Sequence, residues 1–306
     1  MNTHLVIPLK LASSEIGTNE PGNRPINDSF VDSTFSGWRT RHPIDMLTVE
    51  FFGRLGNLMF EYASLLGIAF RNGKRPFVKP DNILNTVFKL SFVENWDTKY
   101  WLHISETKYA GYSPEFENLP AGNYVMGHYL QSWKYFEPFR EQIMKEFSFS
   151  DPYEMLRRKI FHLYTSSFKN RTVVGLHVRR TDMTEQNEEG YTEAPVSYMY
   201  KAVQHMRETF RNPVFLIASD DKDWCRRNLD SEDMILMETT NPFVDFGALV
   251  LCDHMIMTVG TFGWWAAWLI NGHTVYYKGY PKPGGRLKSQ FVKEDYFMPH
   301  WIPMSG

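Results

Sequence analysis

The chain has 306 residues, with 33 basic and 35 acidic side chains and a net charge of −2, so there is no whole-chain basic field and nucleic acid is not an expected partner. Apolar residues make up 43%, enough for one large domain or two ordinary ones, and the 9 Trp, 16 Tyr and 23 Phe suit either sugar-stacking surfaces or a well-packed core. Two cysteines, Cys225 and Cys252, allow one disulfide but no disulfide framework, and no zinc-type ligand spacing occurs.

Residues 1–45 are rich in Ser, Asn, Pro and Gly and read as a flexible polar arm or stem. Leu5 to Leu11 is too short for a signal-peptide core and is broken by Pro8 and Lys10. The triplets Asn27-Asp28-Ser29 and Asn170-Arg171-Thr172 fit glycosylation acceptors. Order is expected from Met46, with an extended run to Phe52, the turn Gly53-Arg54-Leu55-Gly56-Asn57, and a helix over Leu58 to Phe70 stopped near Gly73. Phe77-Val78 is a candidate second strand, and residues 80–150 are less regular.

In the second half, apolar runs at Thr172 to Val178, Val214 to Ala218 and Met255 to Val259 start about 42 residues apart. That spacing leaves room for βαβ units. Helices are expected over Val196 to Phe210, over Asp223 to Leu229 capped from Ser219, Asp220 or Asp221, and from Asn241-Pro242 to about Cys252. This alternation implies a parallel sheet covered on both faces. Met255 to Ile270 is sixteen residues, short of a membrane span, and reads as strand plus helix in a soluble chain.

Parallel sheets bind ligands beyond the carboxyl ends of their strands. Here the three runs end in His177 with Arg179-Arg180, in Ser219-Asp220-Asp221, and in Gly260-Thr261-Phe262-Gly263. Arginine forks match phosphate oxygens, although a structural bridge to Asp182 would use the same pair. The Gly53 to Asn57 turn before a helix suits an anion or simply permits a tight turn. Asp245 near a helix start could accept from the N1–H and N2–H₂ edge of guanine, or merely favour the positive helix end. Trp264, Trp265 and Trp268 read as core.

Together these segments resemble the α1,2-fucosyltransferases. The family's GRLGNQMFEYA is similar to Gly53 to Ala63, its HVRRGD to His177 to Asp182, its serine–WCxxN segment to Ser219 to Asn228, and its GTFGxWAAYL to Gly260 to Leu269. The resemblance covers about 46–300. It implies an α/β GT-B enzyme with two Rossmann-like halves and a cleft between them: an acceptor-side domain over 46–165 and a GDP-fucose-binding domain with a C-terminal tail over 166–306. It implies inverting transfer of L-fucose from GDP-fucose to the 2-hydroxyl of a terminal β-galactoside, with no metal and no other cofactor. Another linkage, or a non-catalytic glycan- or nucleotide-binding relative, are the competing expectations.

By the same resemblance Arg179 contacts the β-phosphate; Arg180, next in the sequence, is expected on its charge to help neutralise that phosphate as the second catalytic cation. His177 lies by the guanosine, Asp245 reads guanine, and Asn57 lies near the phosphate or fucose. Asp182, Arg54, Asp220, Thr261 and Phe262 complete the expected donor set. Asp182, Glu188 and Glu189 are local candidates for the base, without a motif to select one. Two positions depart from the pattern: Leu58 replaces the usual glutamine and Thr181 the usual glycine. Animal members are Golgi-lumenal with an N-terminal anchor absent from the chain as given, so a Golgi lumen is expected, with the cytoplasm as the alternative.

Overall fold

The computed structural model of the chain describes residues 45–181, 183 and 190–306. Residues 1–44 of the expected arm, the Asn27 triplet, Asp182, Glu188 and Glu189 lie outside the described residues. The remainder holds two parallel sheets within one compact unit, Ile44–Gly306.

The first sheet has four strands in the order β2-β1-β4-β3. Strand β1 spans Met46–Val49, β2 Arg75–Pro76, β3 Leu102–Ile104 and β4 Tyr124–Met126. Helix α1, Leu55–Arg71, follows β1 after a turn in which Gly53 takes φ +99°. The helix begins three residues earlier than the apolar spacing suggests, because the Gly53 turn already releases the backbone at Leu55. It stops at Asn72, whose side chain and backbone N–H both donate to the Ile68 carbonyl, with Gly73 left-handed just beyond. The expected second strand is displaced: β2 ends at Pro76, and Val78 only bridges Val93.

The second sheet has six strands in the order β10-β9-β8-β5-β6-β7. Strands β5 (Val173–Val178), β6 (Val214–Ser219) and β8 (His254–Met257) are the three apolar runs. Strands β7 (Met234–Leu236), β9 (Thr274–Tyr277) and β10 (Ile302–Met304) are short and carried no clear pattern. In chain order this arrangement is the 3-2-1-4-5-6 of doubly wound dinucleotide folds, which reverses direction between β5 and β8. Every residue of β5 is buried, as a central parallel strand covered on both faces requires.

Between the strands run α2 (Asp151–Thr165), α3 (Val196–Thr209), α4 (Lys222–Asn228), α5 (Pro242–Leu249) and α6 (Thr261–Ile270). Asp221 caps α4 by accepting from Trp224 N at 3.0 Å, and Asn241 caps α5 by accepting from Phe243 N at 2.9 Å. Helix α5 ends at Leu249, three residues short of Cys252.

An aromatic core joins the two halves. Phe60 of α1 lies 4.4 Å from Trp264 and 5.1 Å from Trp265 of α6, and Phe136 stacks on Trp265 at 5.2 Å. Trp264, Trp265 and Trp268 are all buried, as their helical spacing suggested. Among the described residues, no helix is long and apolar enough to cross a membrane.

Candidate active site

The register of the large sheet sets the site. Val178 pairs with Ser219 and His177 with Met257, so three strands end flush on one edge. A cavity of about 580 Å³ opens there, within the range for small-molecule sites. Its wall includes Gly53, Arg54, Gly56 and Leu58 from the first half, and His177, Arg179, Asp220, Asp245, Thr261 and Phe262 from the second.

One end of the cavity is built for an anion. Arg179 follows β5, and its backbone N–H donates to Thr258 Oγ1 at 3.0 Å. Its side chain crosses Gly260, where an added Cβ would sit 3.1 Å from Nη1. Gly260 at φ +87° also turns the chain into α6. Helices α1 and α6 both start at this wall without a side-chain cap on their first N–H groups. They approach closely because residue 56 is glycine: a Cβ there would lie 2.6 Å from the Thr261 carbonyl carbon. Thr261 Oγ1 donates to Asn57 Oδ1 at 2.9 Å and fixes the two starts together. Two positive helix ends and a guanidinium thus meet in one place.

The other end is built for a paired donor. Asp245, 8% exposed, sits in the first turn of α5, and its Oδ1 is buried with no hydrogen-bond partner among the described residues. Burial pushes its carboxyl up to about 7, partly offset by the charge of Lys222. Lys222, Thr239, Thr240 and Phe243 line the same cavity. A buried acceptor without a partner is costly, and a ligand N–H pair would relieve it. His177 stacks on Phe262 with ring centroids 5.0 Å apart. Burial, then the charge of Arg179, drives its imidazole down to about 3, so it is neutral at physiological pH. It offers a flat polar wall rather than an acid or base.

Arg180 has a different neighbourhood. Its Nη2 lies 2.7 Å from Glu193 Oε2, its Nε 3.5 Å from Asp221 Oδ2, and its guanidinium 4.1 Å above the Trp224 ring. Of the two arginines, only Arg179 belongs to the cavity wall. Asp220 turns its carboxylate to the chain after β5, accepting from Arg180 N at 2.9 Å and from Thr181 Oγ1 at 2.7 Å. Thr181, the departure from glycine, therefore adds a hydrogen bond to this turn. Leu58, the departure from glutamine, is 8% exposed and gives the cavity an apolar patch. Arg54 is exposed on the rim, and Asn57 turns from the cavity to Thr261 and to Gln131 Nε2 at 3.2 Å. Asp182 lies outside the described residues.

The small sheet presents its own carboxyl edge beside this cavity. Glu61, fully buried in α1, accepts from Phe52 N at 3.1 Å and from Tyr129 N at 3.0 Å. Glu106 Oε1 accepts from Leu130 N at 2.9 Å, while its Oε2 is buried without a partner among the described residues. Burial raises Glu61 to about 8 and Glu106 to about 9, the latter also through the nearby charge of Glu61. Between them the chain holds Tyr129 at φ 81° and Leu130 at φ 45°, left-handed values costing about 1–3 kcal/mol each for such residues. Neither carboxyl is singled out from sequence: Glu61 lies inside the Gly53 to Ala63 segment with no role assigned to it, and Glu106 lies outside every quoted segment. Lys222, Thr239 and Phe243 are likewise given no role by the sequence reading, although Lys222 lies within Ser219 to Asn228.

Two parallel sheets facing a cleft, the GT-B arrangement of nucleotide-sugar enzymes, define the class. The glycosyl transferase family 11 model matches residues 23–305, and the chain belongs to that family. It is 34% identical over 273 residues to galactoside alpha-(1,2)-fucosyltransferase 1 of Ateles belzebuth, covering 83% of this chain and 73% of the relative. With the Plecturocebus brunneus protein of the same name it shares 32% over 324 residues, 99% and 84% of the two chains. Among solved structures, NodZ alpha-1,6-fucosyltransferase soaked with GDP-fucose has a TM-score of 0.52 at 12% identity, over 75% of this chain and 93% of that one. An Arabidopsis thaliana FUT1 mutant in complex with GDP has a TM-score of 0.50 at 12% identity, over 78% and 71%. At such identities these two establish the shared fold alone.

Proposed function

We propose that this chain transfers L-fucose from GDP-fucose to the 2-hydroxyl of a terminal β-galactoside, with inversion at the fucose carbon. One observation carries the donor assignment: a single cavity whose wall holds both Arg179 with two uncapped helix starts and Asp245, whose buried Oδ1 has no partner among the described residues. A guanosine diphosphate sugar carries the anion and the N–H pair that these groups would take. The names of the family relatives supply the acceptor and linkage, and the GDP-fucose complex of NodZ supports the donor.

In this reading Asp245 accepts from guanine N1–H and N2–H₂, and the His177–Phe262 pair borders the nucleoside. Arg179 and the starts of α1 and α6 hold the diphosphate. The fucose C1–O bond lengthens, its electron pair leaves with the β-phosphate, and positive charge grows on the sugar ring. The galactose 2-hydroxyl closes on C1 from the opposite face, and its proton passes to the departing diphosphate or to solvent. Arg179 and the helix ends balance the departing charge, the kind of preorganised stabilisation that contributes about 3–4 kcal/mol per donor in other enzymes. In this reading these groups do the work a metal would do. Arg180 is assigned a positioning role: Glu193, Asp221 and Trp224 fix the turn that carries Arg179.

We place the enzyme in a secretory lumen, as for its animal relatives. Asn170 supports this: it is exposed in a left-handed turn before β5, open to glycosylation. A mobility shift on glycosidase treatment would report it. The test of function is incubation with GDP-fucose and lactose. GDP release with an NMR signature of a Fuc-α1,2-Gal bond is expected. GDP-fucose binding without GDP release across several galactosides would overturn the enzyme reading, and a different glycosidic bond would overturn the linkage.

A further inference from the structure

The rings at the carboxyl edge of the small sheet have no part in the donor cavity. Phe52, directly before Gly53 of the cavity wall, is 56% exposed, and Tyr109 is 41% exposed. Phe52 lies 5.3 Å from His128 and edge-on to Tyr129 at 5.9 Å, and Tyr129 lies 4.9 Å from Tyr109. Large rings normally pack inside, so a group of four at a cleft rim, with Phe52 and Tyr109 exposed and His128 and Tyr129 half-buried, is unusual. They are also held firmly. The Glu61 carboxyl binds the backbone N–H of both Phe52 and Tyr129, and Glu106 binds that of Leu130. A left-handed pair at 129–130 is kept in place by these two buried groups.

The platform is also wired to the donor side. Gln131, next to Leu130, donates to Asn57 Oδ1, and the same oxygen accepts from Thr261 at the start of α6. One asparagine therefore couples the aromatic loop to the anion end of the cavity.

We propose that Phe52, Tyr109, His128 and Tyr129 form the subsite for the terminal pyranose of the acceptor, with Glu61 and Glu106 as the residues that position it. A galactoside has an apolar C–H face that stacks on aromatic rings and hydroxyls that point away from it. Stacking on this rim sets the sugar beside Gly53 and within reach of the diphosphate end. The inference rests on reading the cavity as a GDP-fucose site, because that reading makes a sugar the expected neighbour.

The experiment titrates lactose by saturation-transfer NMR, with and without GDP, and separately titrates GDP by calorimetry. Phe52→Ala and Tyr109→Ala remove exposed rings and leave the backbone bonds to Glu61 in place. Each is expected to raise the lactose Kd by about tenfold. Phe52→Tyr keeps a ring and should stay within about twofold of wild type, as should the GDP Kd of all three variants. Glu61→Ala should show the same selective loss, and Glu61→Gln, which keeps one acceptor oxygen, should recover most of it. Unchanged lactose binding in both ring variants would overturn the proposal, and so would an equal weakening of GDP. The lactose titration without GDP reads the subsite even if the donor reading fails, whereas absent GDP binding by the wild type would strike the donor reading alone.

Discussion

Replacing Asp245 by asparagine tests the nucleobase end of the cavity with almost no change of volume. The carboxylate can accept two hydrogen bonds from guanine N1–H and N2–H₂; the amide offers one acceptor and sets an N–H₂ against a donor. Hydrogen bonds to a charged group are worth about 1.5–3 kcal/mol each, and a mismatched buried donor adds a desolvation cost. A loss of about 2–3 kcal/mol is expected, roughly 30- to 150-fold in Kd. Calorimetry with GDP and with inosine diphosphate, which lacks the 2-amino group, reads it directly. Wild type should prefer GDP by about tenfold, and Asp245→Asn should bind both alike. The pH profile gives a second reading. Burial holds the free Asp245 carboxyl up at about 7, so at lower pH the ligand must displace a proton. Each pH unit below that value then weakens binding by up to about tenfold. GDP-fucose should bind wild type more tightly at pH 8 than at pH 6, and the variant should lose that slope. If Asp245→Asn kept wild-type affinity for GDP and its preference over inosine diphosphate, the guanine assignment would be wrong.

Three further outcomes follow from the geometry. Glu61, Glu106 and Asp245 all titrate above their unfolded values, so the folded state holds protons that the unfolded chain has released. The stability these groups contribute is therefore fully present below about pH 4 and is lost progressively as pH rises from there to about 7 to 9, which urea unfolding at several pH values would reveal as a falling midpoint. Gly56→Ala forces a Cβ to within 2.6 Å of the Thr261 backbone, parts the starts of α1 and α6, and should cost about 1–3 kcal/mol of stability together with weaker GDP binding. Arg180→Ala should lower the melting temperature and reduce kcat less than the loss of Arg179 does, because its guanidinium meets Glu193, Asp221 and Trp224. A larger kcat loss at Arg180 with unchanged stability would place it on the phosphate instead.

The large sheet was the readable part of this fold. Strands β5, β6 and β8 are buried on both faces and so appear as unbroken apolar runs, and Asn241-Pro242 marks α5 by cap chemistry alone. The strand β2 escaped because two residues carry no period, and β7, β9 and β10 because they are short and half-buried. At the site, Arg179, Thr261, Phe262 and Asp245 were visible as polar or aromatic residues at strand ends and a helix start. The different settings of Arg179 and Arg180 were not, since neighbouring residues after a strand point in directions that only the packing of Trp224 and Glu193 decides. Gly56 was visible as a glycine, but its use depends on Thr261, more than two hundred residues away. The positioning carboxyls Glu61 and Glu106 were hidden for a related reason: their partners are backbone N–H groups, which leave no mark in a sequence.

The account turns on Arg179 as the group that receives the departing diphosphate. Steady-state turnover of GDP-fucose and lactose by Arg179→Ala, with folding checked by thermal melting, tests it most directly. A fall in kcat of about 100- to 1,000-fold is expected, with the lactose KM near its wild-type value and partial recovery in Arg179→Lys. A variant that folds normally and keeps kcat within about threefold of wild type, less than 1 kcal/mol of barrier, would contradict it.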